Sequence, residues 1–127
     1  MEQSDVENIA RSWIAWHLAE KDEPSFESQF WAFQAIDELT HEKPLDALVV
    51  ILKITDLAET DGMLGYLGAG PIEDLMLCHG QTIIERIATE TKRNSKFKKA
   101  LKTVQLEQKD TPIWERFYEI AETEPYV

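Results

Sequence analysis

The chain has 127 residues, 43% of them hydrophobic, with one cysteine and a formal charge of -11, a size and composition that bury a core without disulfides or structural metals. The lone Cys78 excludes an internal disulfide framework, and the negative charge opposes the electrostatic term that drives non-specific binding to nucleic acid or to anionic membrane. The start "MEQSDVENIARSW" has neither a basic nor an apolar leader region, and the longest apolar run, residues 45–54, is far short of the ~20 a membrane span requires. A cytoplasmic location is expected.

Spacings of three and four between apolar residues recur along the chain and no useful stretch alternates, so the pattern predicts an all-α protein. The first helix opens on a capping box, Ser4 with Glu7, carries Val6, Ile9, Ala10, Trp13 and Trp16 or His17 along one side, and ends near Lys21. After the breaker "DEPS", Ser25 caps a second helix with Phe26, Phe30, Phe33, Ile36 and Leu39 inward and Trp31 at its flank. Pro44 starts a third, where its missing N–H loses nothing. Leu45, Leu48, Val49 and Leu52 supply one face and Val50, Ile51 and Ile54 much of the rest, which places this helix at the centre. A fourth runs from Asp61 to Leu67, a fifth from Pro71 to His79 before Gly80, and a sixth from Gln81 to Thr91. Ser95 caps a basic seventh with Phe97, Ala100, Leu101 and Val104, and Thr111-Pro112 opens a last one with Ile113, Trp114, Phe117 and Ile120.

Short connections and the absence of a linker predict a single helical domain over residues 1–127. The expected architecture is a compact orthogonal bundle of about seven or eight short helices, with HEAT-like helical pairs as the alternative; no fixed-period repeat supports the latter.

Charge is polarised. Through residue 80 there are 16 acids against 4 bases, and from 81 onward 8 acids against 9 bases. Lys92, Arg93, Lys96, Lys98, Lys99, Lys102 and Lys109 form a basic stripe that reads as a solvated face or as the complement of an acidic patch on another copy.

The corner Gly68-Ala69-Gly70-Pro71 invites an anion-binding reading, since exposed N–H groups at a helix start attract negative charge. Pro71 removes one donor, and Glu73 and Asp74 already occupy the first turn; with Gly70 as N-cap, Glu73 falls at the position from which it reaches back to the N-cap N–H. No Lys-Ser or Lys-Thr follows. Gly68, Gly70, Pro71, Glu73 and Asp74 are therefore read as a structural corner, with Gly70 requiring backbone freedom. The stretch "LGAGPIEDLMLCHGQTIIERI", with "FWAFQAIDELTHEKPLDALVVILKI" upstream and "FKKALKTV" downstream, resembles a family of small acidic bacterial helical proteins of unknown function marked by Gly-Pro-hydrophobic-Glu-Asp-Leu and a following His-Gly. The resemblance covers about residues 13 to 104 and implies a bacterial helical domain, with no catalytic residue to carry over.

Catalytic constellations are thin. Glu73, Asp74 and His79 do not converge on a regular helix, His17 and His41 lie in other elements, and no His-x-x-x-His or Cys-x-x-Cys spacing exists, so neither metal nor cofactor is expected. Cys78 and His79 point ~100° apart on a helix and form no dyad; Cys78 reads as a small buried hydrophobe. Trp13 and Trp16 with His17 read as a core stripe capped by a partly exposed ring rather than as an aromatic ligand box.

What remains is a docking field for a basic protein, with Asp37, Glu38, Glu42, Asp46, Asp56, Glu59 and Asp61 as its carboxylates. The leading expectation is a non-enzymatic acidic binding protein, of the immunity-protein or inhibitor type, that neutralises a basic bacterial toxin such as a nuclease. The alternative is a homo-oligomeric adaptor, a homodimer for instance, in stress or phage defence. Third comes a hydrolase-like enzyme using Glu73, Asp74 and His79.

Overall fold

The computed structural model describes residues 1–104 and 111–123, and among these every regular element is helical. In chain order they are α1 (Gln3–Leu18), α2 (Pro24–Ser28), α3 (Phe30–Glu42), α4 (Pro44–Leu57) and α5 (Asp61–Leu67), then a π-helical turn (Gly68–Ile72), α6 (Glu73–Arg93), α7 (Ser95–Leu101) and α8 (Pro112–Ala121). The protein is an all-α bundle. The basic stripe's last member, Lys109, lies outside the described residues.

The centre is α4, which packs against α1, α3, α5, α6 and α7. Its inward residues are Ala47, Leu48, Val50, Ile51 and Ile54, with Thr55 donating its hydroxyl to the Ile51 carbonyl. Leu45 and Val49, expected inward, are exposed, because the buried arc of α4 runs through positions 47, 50, 51 and 54. Buried polar side chains are handled locally: Thr40 and Thr91 likewise donate to carbonyls one turn back.

Helix boundaries follow local chemistry, and several differ from the sequence reading. The Ser4–Glu7 box does not form. The first helix begins two residues earlier, behind Glu2 rather than Ser4, and Glu7 is drawn instead to Arg11, 2.9 Å away one turn on, with Lys53 at 4.0 Å. The expected second helix is two, since Pro24 rather than Ser25 opens α2 and the chain re-starts after Gln29. Thr60 caps α5, Asn94 rather than Ser95 caps α7, and Thr111 caps α8, each accepting from an N–H three residues on.

The glycine corner is the largest departure. No helix starts at Pro71, and Gly70 is not an N-cap: the chain stays helical from α5 to α6 through the π turn, where the Glu73 N–H reaches the Gly68 carbonyl five residues back. The wider turn accommodates a proline whose ring would clash with the carbonyl four residues earlier in a regular helix. Gly70 has open space where a side chain would be. Gly68 is the constrained position, for a Cβ there would overlap the Thr103 hydroxyl and the Ala100 carbonyl of the α7 end. Gly80 allows a similar approach of α8, its Cβ position lying 2.9 Å from the Ile113 side chain.

The expected break near residues 79–80 appears as a kink inside α6, with His79 at φ -139°, ψ 29°. The His79 Nε2–H donates to the carbonyl of His41 at 2.7 Å, satisfying one of the orphan carbonyls at the end of α3. Cys78 is exposed beside exposed Leu77, not buried, because the kink and the core contacts of Leu75 and Met76 turn positions 77 and 78 outward.

Candidate functional site

Helix α3 carries the most distinctive surface. At its beginning Phe30, Trp31 and Phe33 are exposed, the two phenylalanine rings stacked at 5.5 Å and packed on Trp16 of α1. One to two turns later Asp37, Glu38 and Glu42 are exposed on continuing faces of the same helix, and Asp46 follows in the first turn of α4. Among the described residues no Lys or Arg lies within ion-pair distance of these four acids; the His41 Nδ1 lies 3.7 Å from the Asp37 carboxylate.

The other three acids of the expected field sit elsewhere. Asp56, Glu59 and Asp61 lie at the far end of α4 and the start of α5, roughly 15 Å from Asp46 at 1.5 Å per residue. There the basic stripe meets one of them: Lys99 pairs with Asp61 at 2.9 Å, while the Lys96 ammonium donates to the backbone carbonyl of Asp56 at 3.2 Å and leaves its carboxylate, like that of Glu59, without an ion pair among the described residues. Lys98 reaches Glu122 of the α8 end at 2.6 Å. Part of the basic stripe thus finds its complement on the same molecule, at Asp61 and Glu122, whereas the acids of the α3 end have no Lys or Arg ion pair among the described residues.

Beside that surface a cleft of about 80 Å³ opens between α1, α3 and the π turn, lined by Trp13, His17, Phe33, Asp37, Tyr66 and Asp74 among others. Tyr66 and His17 stack at 4.7 Å, and His17 also packs on Trp13 at 4.1 Å. Burial of this ring lowers its pKa from 6.5 to about 4, so it is neutral at physiological pH. Asp74 is shifted the other way, raised first by burial and then by the charge of Asp37, with His41 opposing. His41 itself is raised above 6.5, first by its hydrogen bond to the Asp37 carbonyl, then by the charges of Asp37, Asp74 and Glu42, while burial works against it. A larger groove of about 340 Å³ between α1, α4 and α5 is lined by Ile14, Leu18, Leu57 and Met63 with Arg11 and Glu59, and brings no set of polar groups to one point.

Glu73, Asp74 and His79 diverge. Asp74 turns toward α3, Glu73 lies near Tyr118 of α8, whose hydroxyl is held toward its protonated form first by burial and then by the Glu73 charge, and His79 is committed to the His41 carbonyl. No group of three His, Cys, Asp or Glu suited to a metal ion occurs among the described residues. Among them also, no helix is long and apolar enough to cross a membrane. Sequence reasoning missed Tyr66 and the meeting of Asp37 with Asp74. The only available signal was the Gly-Pro corner, which sets the orientation of α6 through a turn type that spacing rules do not encode.

The neutral His17 gives a direct check. Between pH ~6.5 and about 4 the unfolded chain holds a proton on this ring that the folded one does not, so the ring's contribution to stability rises with pH over that window. Histidine ring resonances followed by NMR should show His17 titrating near pH 4 and His41 above 6.5. A His17 midpoint close to 6.5 would mean that its stack with Tyr66 does not shield it.

Fold and site together define a small all-helical domain whose distinctive surface is an acidic and aromatic helix face flanked by a narrow cleft. The chain belongs to DUF6869, a family of unknown function, whose model matches residues 19–124. That match begins just after α1, so Trp13 and His17 precede it. Neither the curated proteins nor the solved structures include a match.

Proposed function

We propose that this protein is a non-enzymatic binding protein of the bacterial cytoplasm that captures a basic protein through the exposed face of α3 and the start of α4. In its biological form this is an immunity-type inhibitor of a cationic toxin. The observation that carries the reading is the meeting of charge and exposed rings on one helix face: Asp37, Glu38, Glu42 and Asp46 have no Lys or Arg ion pair among the described residues. Phe30, Trp31 and Phe33 lie next to them. Carboxylates give a cationic partner speed of encounter and selectivity, and exposed aromatic side chains supply the anchors that dominate binding energy. Arginine suits both, pairing with carboxylates and stacking on rings.

The test is charge reversal. Asp37→Lys, Glu38→Lys and Glu42→Lys together should slow association with the captured partner at least tenfold at low salt while leaving the melting temperature nearly unchanged, because exposed charges contribute little to stability. Association by the unmodified protein should slow as salt rises, since screening acts over ~10 Å at 0.1 M. Reversal of Lys96, Lys99 and Lys102 should leave binding intact. If the lysine variant loses the partner and the acidic variant keeps it, the docking face is on the opposite side.

A further inference from the structure

The geometry points to a receptor for a single guanidinium group in the cleft between α1, α3 and the π turn, with Asp37 and Asp74 as its anions and Phe33 and Tyr66 as its aromatic walls. The inference rests on the docking reading and names what the cleft takes from the partner: one arginine side chain.

Size selects first. The space of about 80 Å³ is well above the ~10–15 Å³ that one water needs, and well below the ~300–1,000 Å³ of pockets for drug-sized molecules. A planar head of four heavy atoms on a flexible stem fits that interval; a nucleotide or a sugar does not. Charge selects next. Two carboxylates from different helices line one cleft, and the charge of Asp37 adds to burial in holding Asp74 toward its protonated form. A cation seated between them relieves that repulsion and favours the charged form of Asp74. His17 leaves the position uncontested because its shielded ring is neutral, and His41, although near Asp37, is not part of the lining.

Chemistry narrows the cation further. A guanidinium donates from a flat fork to two separated carboxylates and stacks on aromatic faces, which an ammonium does only as a point charge. A metal ion would need more oxygen or nitrogen ligands than the cleft brings together, for no such group of three exists among the described residues. Tyr66 is exposed, so the cleft's mouth is open to a side chain carried by another protein.

The experiment titrates the full chain with N-acetyl-arginine amide, with N-acetyl-lysine amide and with magnesium and calcium chlorides at matched ionic strength, following side-chain resonances by NMR. Saturable shifts at Trp13, His17 and Tyr66 are expected with the arginine compound, at least fivefold weaker binding with the lysine compound, and no saturable shift with the metals. Asp74→Asn should weaken the arginine compound at least tenfold without lowering the melting temperature, while Glu115→Gln, at an exposed position of α8, should leave it unchanged. Equal, unsaturable responses to arginine and lysine, saturation by a metal, or shifts centred away from these rings would each overturn the assignment. The outcome is separable from that of the docking reading. A partner whose binding depends on Glu38 and Glu42 but ignores Asp74→Asn removes the cleft and keeps the face, whereas arginine binding lost in Asp74→Asn establishes the cleft whatever the partner proves to be.

Discussion

Gly68→Ala should destabilise the protein by about 1–3 kcal/mol or more, the usual range for forcing atoms into a packed interior, while Gly70→Ala should be neutral or stabilising by up to ~1 kcal/mol. The two glycines sit two residues apart in the same π turn and neither has a positive φ, so the difference is purely one of neighbours. At Gly68 the end of α7 lies where a methyl group would go, and the obstacle is partly the Ala100 carbonyl, a backbone atom held by the Thr103 hydroxyl at 2.7 Å. Moving it means moving α7, whose Phe97, Ala100 and Leu101 are in the core. At Gly70 nothing stands in the way, and alanine restricts the unfolded chain. Paired urea and thermal melts decide it: equal destabilisation of both variants would mean that α7 does not approach the turn as described.

Two tryptophans should behave as opposites. Trp13 is 1% exposed and packs under His17, so Trp13→Ala should cost about 3–5 kcal/mol, a large share of the ~5–15 kcal/mol that holds a domain together. Trp31 is 40% exposed, and Trp31→Ala should change stability by no more than about 0.5 kcal/mol. Its effect should instead appear in partner capture, where loss of an aromatic anchor costs ~2 kcal/mol or more, about thirtyfold in affinity. Circular dichroism melts and binding measurements on both variants separate the roles. A Trp31 variant that melts early but binds normally would remove the ring from the docking face and return it to the core.

The periodic elements were legible because burial writes its period into the sequence. Trp13 with His17, the central position of α4, Pro44 and Pro112 at helix starts, and α5 at Asp61–Leu67 all follow from apolar spacing and end signals. What spacing does not encode is competition between neighbours. Glu7 answers to Arg11 and Lys53 rather than to a cap, and Asn94 wins the cap from Ser95 by geometry. The site was legible only in part. Asp37, Glu38, Glu42 and Asp46 could be named as acids of a docking field, but their separation from Asp56, Glu59 and Asp61 follows from the length of α4, and the pairing of Asp61 depends on where α7 brings Lys99. The cleft was not legible at all, since it joins residues 13, 37, 66 and 74 through a π turn.

That turn also fixes a count. A regular α-helix advances ~100° per residue, and the π turn holds one residue more than an α-helical path would need. Inserting one residue after Ala69 would overfill the turn and re-phase everything after it by about 100° relative to α5. The core would keep Leu75, Met76 and Ile83 where they are, so the mismatch would have to be absorbed between Tyr66 and Asp74, on the rim of the cleft. The stretch from Leu67 to Glu73 therefore behaves as a gauge block: substitutions such as Gly70→Ala pass, but the addition of a single residue separates the phenol of Tyr66 from the carboxylate of Asp74 without touching either.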